Sequence, residues 1–249
     1  MAEEHDSIKV YLVAAGDYHD IDFARLELLK LLAENEKIRT TVASDYADTE
    51  AIAASDCLIS YTCNLIPSEA EQQALKDYIA GGGKWFALHG TNSILEFTGD
   101  GVACPDKAPI LMETLGTQFV AHPPIQLFTV KTADPDHPLV KDVGEFDTDD
   151  ELYLCRIHGD LHQLLYTEFT GEATGFVEAQ WDDDERRPVY YINQVADGEV
   201  LYLNLGHCRG HYDMQPMVEY YPNIEKGSWD RPQYYELLRR GIKYCTGQL

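Results

Sequence analysis

Between residues 8 and 90 the chain alternates short apolar runs with amphipathic stretches, and this alternation limits the fold more than any other feature of the sequence. Residues 8–14, IKVYLVA, are continuously apolar, as a strand covered on both faces should be. Residues 21–34, IDFARLELLKLLAE, have helical spacing, with Asp20 and Asp22 near the positive end of the helix dipole. Residues 38–44 and 56–61 read as strands. Residues 67–83, PSEAEQQALKDYIAGGG, read as a helix with Pro67 in its first turn, a Ser68–Glu71 capping-box spacing and glycines past its end. KWFALHG, residues 84–90, is a fourth strand. Strands alternating with helices predict a parallel, doubly wound sheet.

The period then shortens to two. From roughly residue 119 to 205 the runs IQLFTVKT, DELYLCRI, QLLYTEF, TGFVEAQW, PVYYINQV and EVLYLNLGH all read as strands. DDDERR, residues 182–187, reads as a hairpin tip, and DPDHPLV, residues 134–140, as a turn. Residues 230–247 close as a helix with Pro232 early and Gly247 after its end. No repeat or low-complexity linker interrupts this pattern. The expectation is one α/β domain over residues 1–249: a doubly wound parallel sheet with added antiparallel strands, β-rich over roughly 119–205.

Charge narrows the partners. With 43 acidic against 19 basic residues the formal net charge is −24. Such a surface repels phosphate backbones and anionic lipid, so neither nucleic acid nor a membrane surface is an expected partner. No run of 18 apolar residues occurs, and the opening residues are acidic without an apolar signal core. The six cysteines are scattered with no C-x-x-C pair, as suits free thiols in a reducing compartment. A cytoplasmic location is expected.

Ligands of parallel α/β sheets bind beyond the carboxyl ends of the strands. Three apolar runs deliver a histidine there: GDYHD with His19 and Asp20, LHGTNS with His89, and LGHCRGH with His207. A histidine so placed can serve as general acid or base, tuned by burial. Asp20 reads either as a partner of His19 or as a helix cap. Gly90 permits close approach of a ligand or a tight turn, and Thr91, Asn92 and Ser93 are expected to open a helix whose amides face the site. Glu151, at the start of the strand in TDDELY, is the acidic residue there expected to point inward. His122 lies near a chain reversal in AHPP. HGDLH, residues 158–162, would put two histidines and Asp160 on one face of a strand, a weaker metal candidate. His207 and His211 would pair only on a helix, which Gly210 opposes. No G-x-S-x-G elbow, P-loop or G-x-G-x-x-G is present, so serine hydrolysis, NTP hydrolysis and dinucleotide redox chemistry are disfavoured. No organic cofactor is evident, and the histidines leave room for a divalent metal.

Taken in order, GDYHD, LKDYIAGGGKWFALHG, LGTQFVAHP, DPDHPLVKDVGEFDTDDELY, VLYLNLGH and LLRRGIKYCTG resemble the ThuA-like, or trehalose utilisation, family over nearly the whole chain. The resemblance implies a flavodoxin-like fold similar to class I glutamine amidotransferases. Those enzymes carry a cysteine at a sharp elbow after a strand; His89 stands at the matching position, and His207 matches their late-strand histidine. Without the elbow cysteine a glutaminase is not expected. The resemblance also implies a carbohydrate substrate. Asp17, His19, Asn92, Glu151, Tyr153 and His207 would supply hydrogen bonds, and Tyr18, Tyr212 or Trp85 a stacking face. In this reading His89 and His207 transfer protons and Glu151 orients one of them or acts as base. His19, Asp20 and His122 bind substrate or tune the histidines. A metal-dependent hydrolase or isomerase on the same cluster, and a non-catalytic sugar-binding protein, are the alternatives. Self-association stays open.

Overall fold

The structure, a computed structural model, describes residues 7–249. The acidic opening, residues 1–6, lies outside the described residues. The first four strands fall where the apolar runs place them: β1 (Ile8–Gly16), β2 (Ile38–Ala43), β3 (Cys57–Cys63) and β4 (Lys84–Leu88). A small hairpin, β5 (Glu96–Thr98) and β6 (Gly101–Ala103), follows. The β-rich stretch supplies β7 (Thr117–Ala121), β8 (Gln126–Thr132), β9 (Phe146–Asp150), β10 (Leu154–Ile157), β11 (His162–Glu168), the short pair β12 (Gly171–Glu172) and β13 (Gln180–Trp181), β14 (Arg186–Val195) and β15 (Gly198–Leu203).

Nine of these form one sheet in the order β2-β1-β3-β4-β15-β14-β11-β8-β9. The first five are mutually parallel, and the last four extend the sheet antiparallel. β15 therefore completes the parallel core even though its sequence belongs to the period-two stretch. Helices α1 (Ile21–Leu32) and α5 (Pro232–Cys245) cover one face, packing Leu28 and Leu238 against Leu12 and Phe86. Helices α2 (Thr49–Ala53), α3 (Glu69–Ala80) and α4 (Pro109–Leu115) cover the other with Ile52, Leu75 and Leu111. All seven residues of β3 are buried, as a strand covered on both faces requires. The Ser68–Glu71 capping box forms at the start of α3.

Register decides where the functional residues arrive. Gly16 lies beside Cys63, Tyr61 beside Leu88, and Leu88 beside Leu203, so β1, β3, β4 and β15 end along one edge. The loops leaving that edge carry His19, His89 and His207.

Two expected elements take other forms. Residues 91–93 do not open an α-helix. His89–Asn92 make one 3₁₀ turn and Ser93 returns to extended backbone. The reason is that the local polar groups are already engaged. Thr91 Oγ1 donates back to the Leu88 carbonyl (2.8 Å) and Asn92 N–H donates to the Tyr202 hydroxyl (2.8 Å). DELYLCRI is also not one strand. β9 ends at Asp150, Glu151–Tyr153 leave the ladder, and β10 pairs instead with β7. Likewise TGFVEAQW contributes only the two-residue strand β13 at its end.

Asp150 causes the break. Its buried carboxylate accepts four backbone N–H groups: Glu151 (2.8 Å) and His207 (3.1 Å) on Oδ1, Gly206 (2.9 Å) and Ser228 (2.8 Å) on Oδ2. Gly227 makes room for it. With φ +49, a Cβ there would lie 2.5 Å from the His207 carbonyl and 3.0 Å from Asp150 Oδ2. Asp150→Ala would strand buried donors on three segments at about 1–3 kcal/mol each, part of it relieved by water. We expect a loss of about 3 kcal/mol or more in urea unfolding. A change within about 0.5 kcal/mol, the range of an ordinary surface substitution, would show that the clamp is dispensable.

Candidate active site

His19 follows β1 on a loop whose preceding residue, Tyr18, has φ +68. His89 sits directly after β4 with φ +44. A non-glycine residue held in the left-handed region is uncommon and costs about 1 kcal/mol or more, so both loops are set by their surroundings. The sharp turn at His89 is possible because Gly90 follows. A Cβ on Gly90 would meet the Thr62 carbonyl at 2.7 Å and Cys63 Cβ at 2.9 Å. His207 follows β15, and Glu151 enters from the break after β9.

These four side chains converge. One ligand-type atom from each of His19, His89, Glu151 and His207 lies within 4.8 Å of all the others, and all four residues are buried. The ring nitrogens pointing away from the cluster have defined partners. His89 Nδ1 donates to the Asn204 carbonyl (2.9 Å), which can only accept. His19 Nδ1 donates to the Asp17 carbonyl (3.2 Å). His207 Nε2 donates to Glu225 Oε2 (2.8 Å). Each outer contact leaves the inner nitrogen of the neutral ring as a bare lone pair. Nε2 of His19 and Nε2 of His89 face each other at 2.9 Å. His207 Nδ1 is buried without a hydrogen-bond partner. It lies 3.2 Å from Glu151 Oε1, but the approach lacks hydrogen-bond geometry. Glu151 Oε2 is 3.5 Å from His89 Nε2 and 3.7 Å from His19 Nε2.

Arg209 and Glu225 brace the cluster. Arg209 reaches Glu225 Oε2 (2.9 Å) and Glu151 Oε1 (3.4 Å) and donates through Nε to the Tyr18 carbonyl (3.0 Å). Tyr221 donates its hydroxyl to Glu225 Oε1 (3.0 Å). Around the cluster opens a cavity of about 280 Å³, reached by His19, His122, Glu151, Tyr153 and Arg209. His122 donates through Nδ1 to the Pro123 carbonyl (2.7 Å) and presents Nε2 to Glu151 Oε1 at 3.5 Å. The Tyr153 hydroxyl lies 3.2 Å from His89 Nε2.

Of the residues the sequence singles out, the structure therefore gathers His19, His89, His122, Glu151, Tyr153 and His207. It places the others around them. Asp17 is exposed, outside the cavity lining, and its carboxylate accepts from Asn64 (3.1 Å). Asp20 caps α1 through the Phe23 N–H (3.0 Å). Gly90 packs against β3, and Asn92 is buried with its amide donating to Thr117 Oγ1 (2.6 Å). Trp85 is core and Tyr212 is 63% exposed, so of the three stacking candidates only Tyr18 lines the cavity. His162 pairs with Asp134 at the surface, and HGDLH forms no cluster with Asp160. Among the described residues the four-residue group above is the one with metal-ligand spacing.

Sequence reasoning missed Glu225, Arg209 and Cys63. Arg209 lies inside LGHCRGH and was legible by position. Glu225 sits in irregular chain with no periodic signal. Cys63 ends β3 and lines the cavity, brought there by register rather than by proximity in sequence to the elbow. Burial, with Glu151 and Asp17 nearby, pushes its thiol well above the usual range, which makes it a poor nucleophile at neutral pH.

Electrostatics divide the histidines. Burial drives the pKa of His19 down to about 3, against the pull of Glu151. Burial also opposes charge on His207, but Glu151 and Glu225 outweigh it and raise its pKa to about 9. Burial favours the neutral acid at Glu151, yet His207 and His122 hold it well below the usual carboxylate range. Relative to an ordinary value of 6.5, His19 stabilises the metal-free fold above pH 6.5, and this is lost as pH falls toward 3. His207 does the reverse: its contribution is full below 6.5 and is lost as pH rises through about 9. Denaturant midpoints of chelator-treated protein should fall on both sides, and His19→Asn should flatten the acid limb alone. An acid limb unchanged by that substitution contradicts the assignment.

The sequence model described as trehalose utilisation, ThuA, matches residues 8–222. No curated protein sequence matches the chain. Among solved structures, a ThuA-like protein from Bacteroides uniformis is similar at 17% identity and TM-score 0.66, over 96% of this chain and 91% of that one. Another from Parabacteroides merdae is similar at 14% identity and TM-score 0.63, over 96% and 90%. A cytoplasmic protein from Salmonella typhimurium shares the fold at 15% identity and TM-score 0.51, over 97% and 98%. In the described residues no helix is long and apolar enough to cross a membrane. With most of its length matched by the family's sequence pattern, this chain belongs to the ThuA family.

Proposed function

We propose that this protein is a metal-dependent enzyme that processes a sugar or keto-sugar, with His19, His89, Glu151 and His207 holding a divalent transition metal. One observation carries the reading: three imidazole nitrogens and a carboxylate converge on one buried point, and a cation there would displace the proton that Glu151 and Glu225 hold on His207. Two neutral rings cannot both present lone pairs at 2.9 Å without a proton or a cation between them. If His19 donates from Nε2 instead, its Nδ1 lone pair faces the Asp17 carbonyl and one repulsion replaces another. A doubly protonated His19 is disfavoured by burial. A cation relieves every contact at once.

The donor set is three nitrogens and one carboxylate, which suits zinc, iron, manganese, cobalt or nickel rather than calcium. The outer partners Asn204, Asp17 and Glu225 fix the ring tautomers by accepting from the nitrogen that faces away from the centre, as such partners do in metal sites. A bound cation would polarise a carbonyl or hydroxyl oxygen of the substrate. Tyr153 and His122 border that point and serve as the proton carriers, because the cluster histidines are committed to the metal. Arg209 braces Glu151 and can neutralise charge developing on substrate oxygen. The family's description supports the carbohydrate class.

A metal-free acid–base pair of His207 and Glu151 is the second reading, favoured by their 3.2 Å contact. Elemental analysis of untagged protein separates the two. We expect about one equivalent of transition metal, lost on chelation with turnover of a sugar panel and restored by adding back the ion. Protein that stays metal-free in every divalent ion offered, yet turns over sugars, overturns the metal reading.

Glu225→Gln gives a finer test. It keeps the shape but weakens the hydrogen bond that orients His207, and should reduce metal affinity by about 10–100-fold in competition titrations with a chromophoric chelator. Unchanged affinity would remove Glu225 from the site.

A further inference from the structure

The cavity has a polar floor and aromatic walls. From the cluster outward, His89, Tyr153 and Phe119 step at centroid distances of 4.7 and 4.4 Å, and Phe119 continues to Phe176 at 5.8 Å. His122 packs edge-on to Phe176 at 4.9 Å. A second grouping joins Tyr18 to Phe97 edge-to-face at 5.5 Å. The segments bearing Phe97 and Phe176 are tied together. Val102, in the β5–β6 hairpin, donates to the Gly175 carbonyl (2.8 Å) and accepts from Val177 (2.9 Å). Leu95, Val102 and Met214 complete the walls.

This lining is not ordinary core. Phe97 is 50% exposed although it has cavity on one side. Tyr18 is held at φ +68, where a bulky residue is strained, with Arg209 fixing its carbonyl. A free sugar can lay a C–H face on one ring, but a space bounded by Phe97, Phe119 and Phe176 on several sides would also turn hydroxyls toward ring carbon and leave them unpaired, which is costly. A flat apolar group would instead bury surface and meet the rings edge-on. A volume of about 280 Å³ is at the small end of ligand sites and suits one polar head and one ring.

We propose that the substrate has two parts: an oxygen-rich head that reaches the cluster, and a flat, apolar group of aromatic-ring size held by Tyr18, Phe97, Phe119 and Phe176. An aryl glycoside or its keto form has this chemistry. The proposal rests on the reading of the floor as a sugar-binding metal centre.

The test compares phenyl with methyl glucosides and galactosides, both anomers, and with trehalose and lactose, by calorimetry on the full chain. The metal content of the same samples is measured in parallel. At least one phenyl glycoside should bind tenfold or more tighter than its methyl counterpart. Phe97→Ala and Phe176→Ala should erase that difference while leaving metal content unchanged. Equal binding of phenyl and methyl forms by metal-loaded protein overturns the aromatic subsite and leaves the metal centre standing. Tighter binding of a disaccharide than of any phenyl glycoside, or no binding of any glycoside, overturns it too. Metal-free protein that still prefers the phenyl form through Phe97 and Phe176 supports the subsite while removing the metal from the reading of the floor.

Discussion

The carboxylate of Asp150 is the contact on which the rest of the site depends. Four backbone N–H groups from the ends of β9 and β15 and from the Ser228 turn aim at its two oxygens. A buried carboxylate with no cation beside it is tolerated only when its lone pairs are filled, and here peptide dipoles fill them. The consequence is geometric. Binding Glu151 N–H ends the β9 ladder and swings Glu151 and Tyr153 away from the sheet. Binding Gly206 and His207 N–H holds the end of β15 at the same place. One side chain thus sets the distance between Glu151 and His207, which follow an edge strand and the middle strand of the sheet.

Around that clamp the cluster is oriented from outside. Two of the histidines are anchored by backbone carbonyls and one by a carboxylate, so ring orientation is independent of what occupies the centre. Arg209 and Glu225 add an ion pair that is itself braced by Tyr221 and the Tyr18 carbonyl. Its value lies in positioning more than in stability, since a half-buried pair gains little after desolvation. A formal charge of −24 also gives the surroundings a field that concentrates cations and repels anions. That field is consistent with a site that captures a divalent ion and then a neutral ligand.

Much of this was legible in the sequence because it is written in period and punctuation. Continuous apolar runs gave β1, β3 and β4, and the Ser68–Glu71 box gave the start of α3. Strands that end in histidine gave His19, His89 and His207, because parallel strands in register must deliver their ends to one edge. Glu151 was legible as the acidic residue at a strand start, although the strand breaks there instead of beginning. What escaped has no local signature. The break after Asp150 depends on amides 56 to 78 residues away. Glu225 lies in irregular chain. The expected helix after His89 failed because Thr91 turned back on Leu88 and the Asn92 amide was claimed by Tyr202, the second a tertiary choice that local propensity cannot foresee.

The elbow at His89 explains how one scaffold can carry different chemistry. A strand that ends in a residue with φ +44, followed by a glycine pressed against its neighbour strand, throws a side chain out over the sheet edge. In the amidotransferase-like enzymes this chain resembles, such an elbow presents a thiol that must be free to attack. Here the side chain is fully buried, its outer nitrogen is fixed, and its inner nitrogen meets two other imidazoles and a carboxylate. A nucleophile needs an open approach and one activating base. A ligand needs convergence and fixed orientation. The backbone strain is the same in both cases. The surroundings of His89 supply convergence and deny approach, so an elbow that could deliver a nucleophile is here shaped to deliver a ligand, as the proposed metal centre requires.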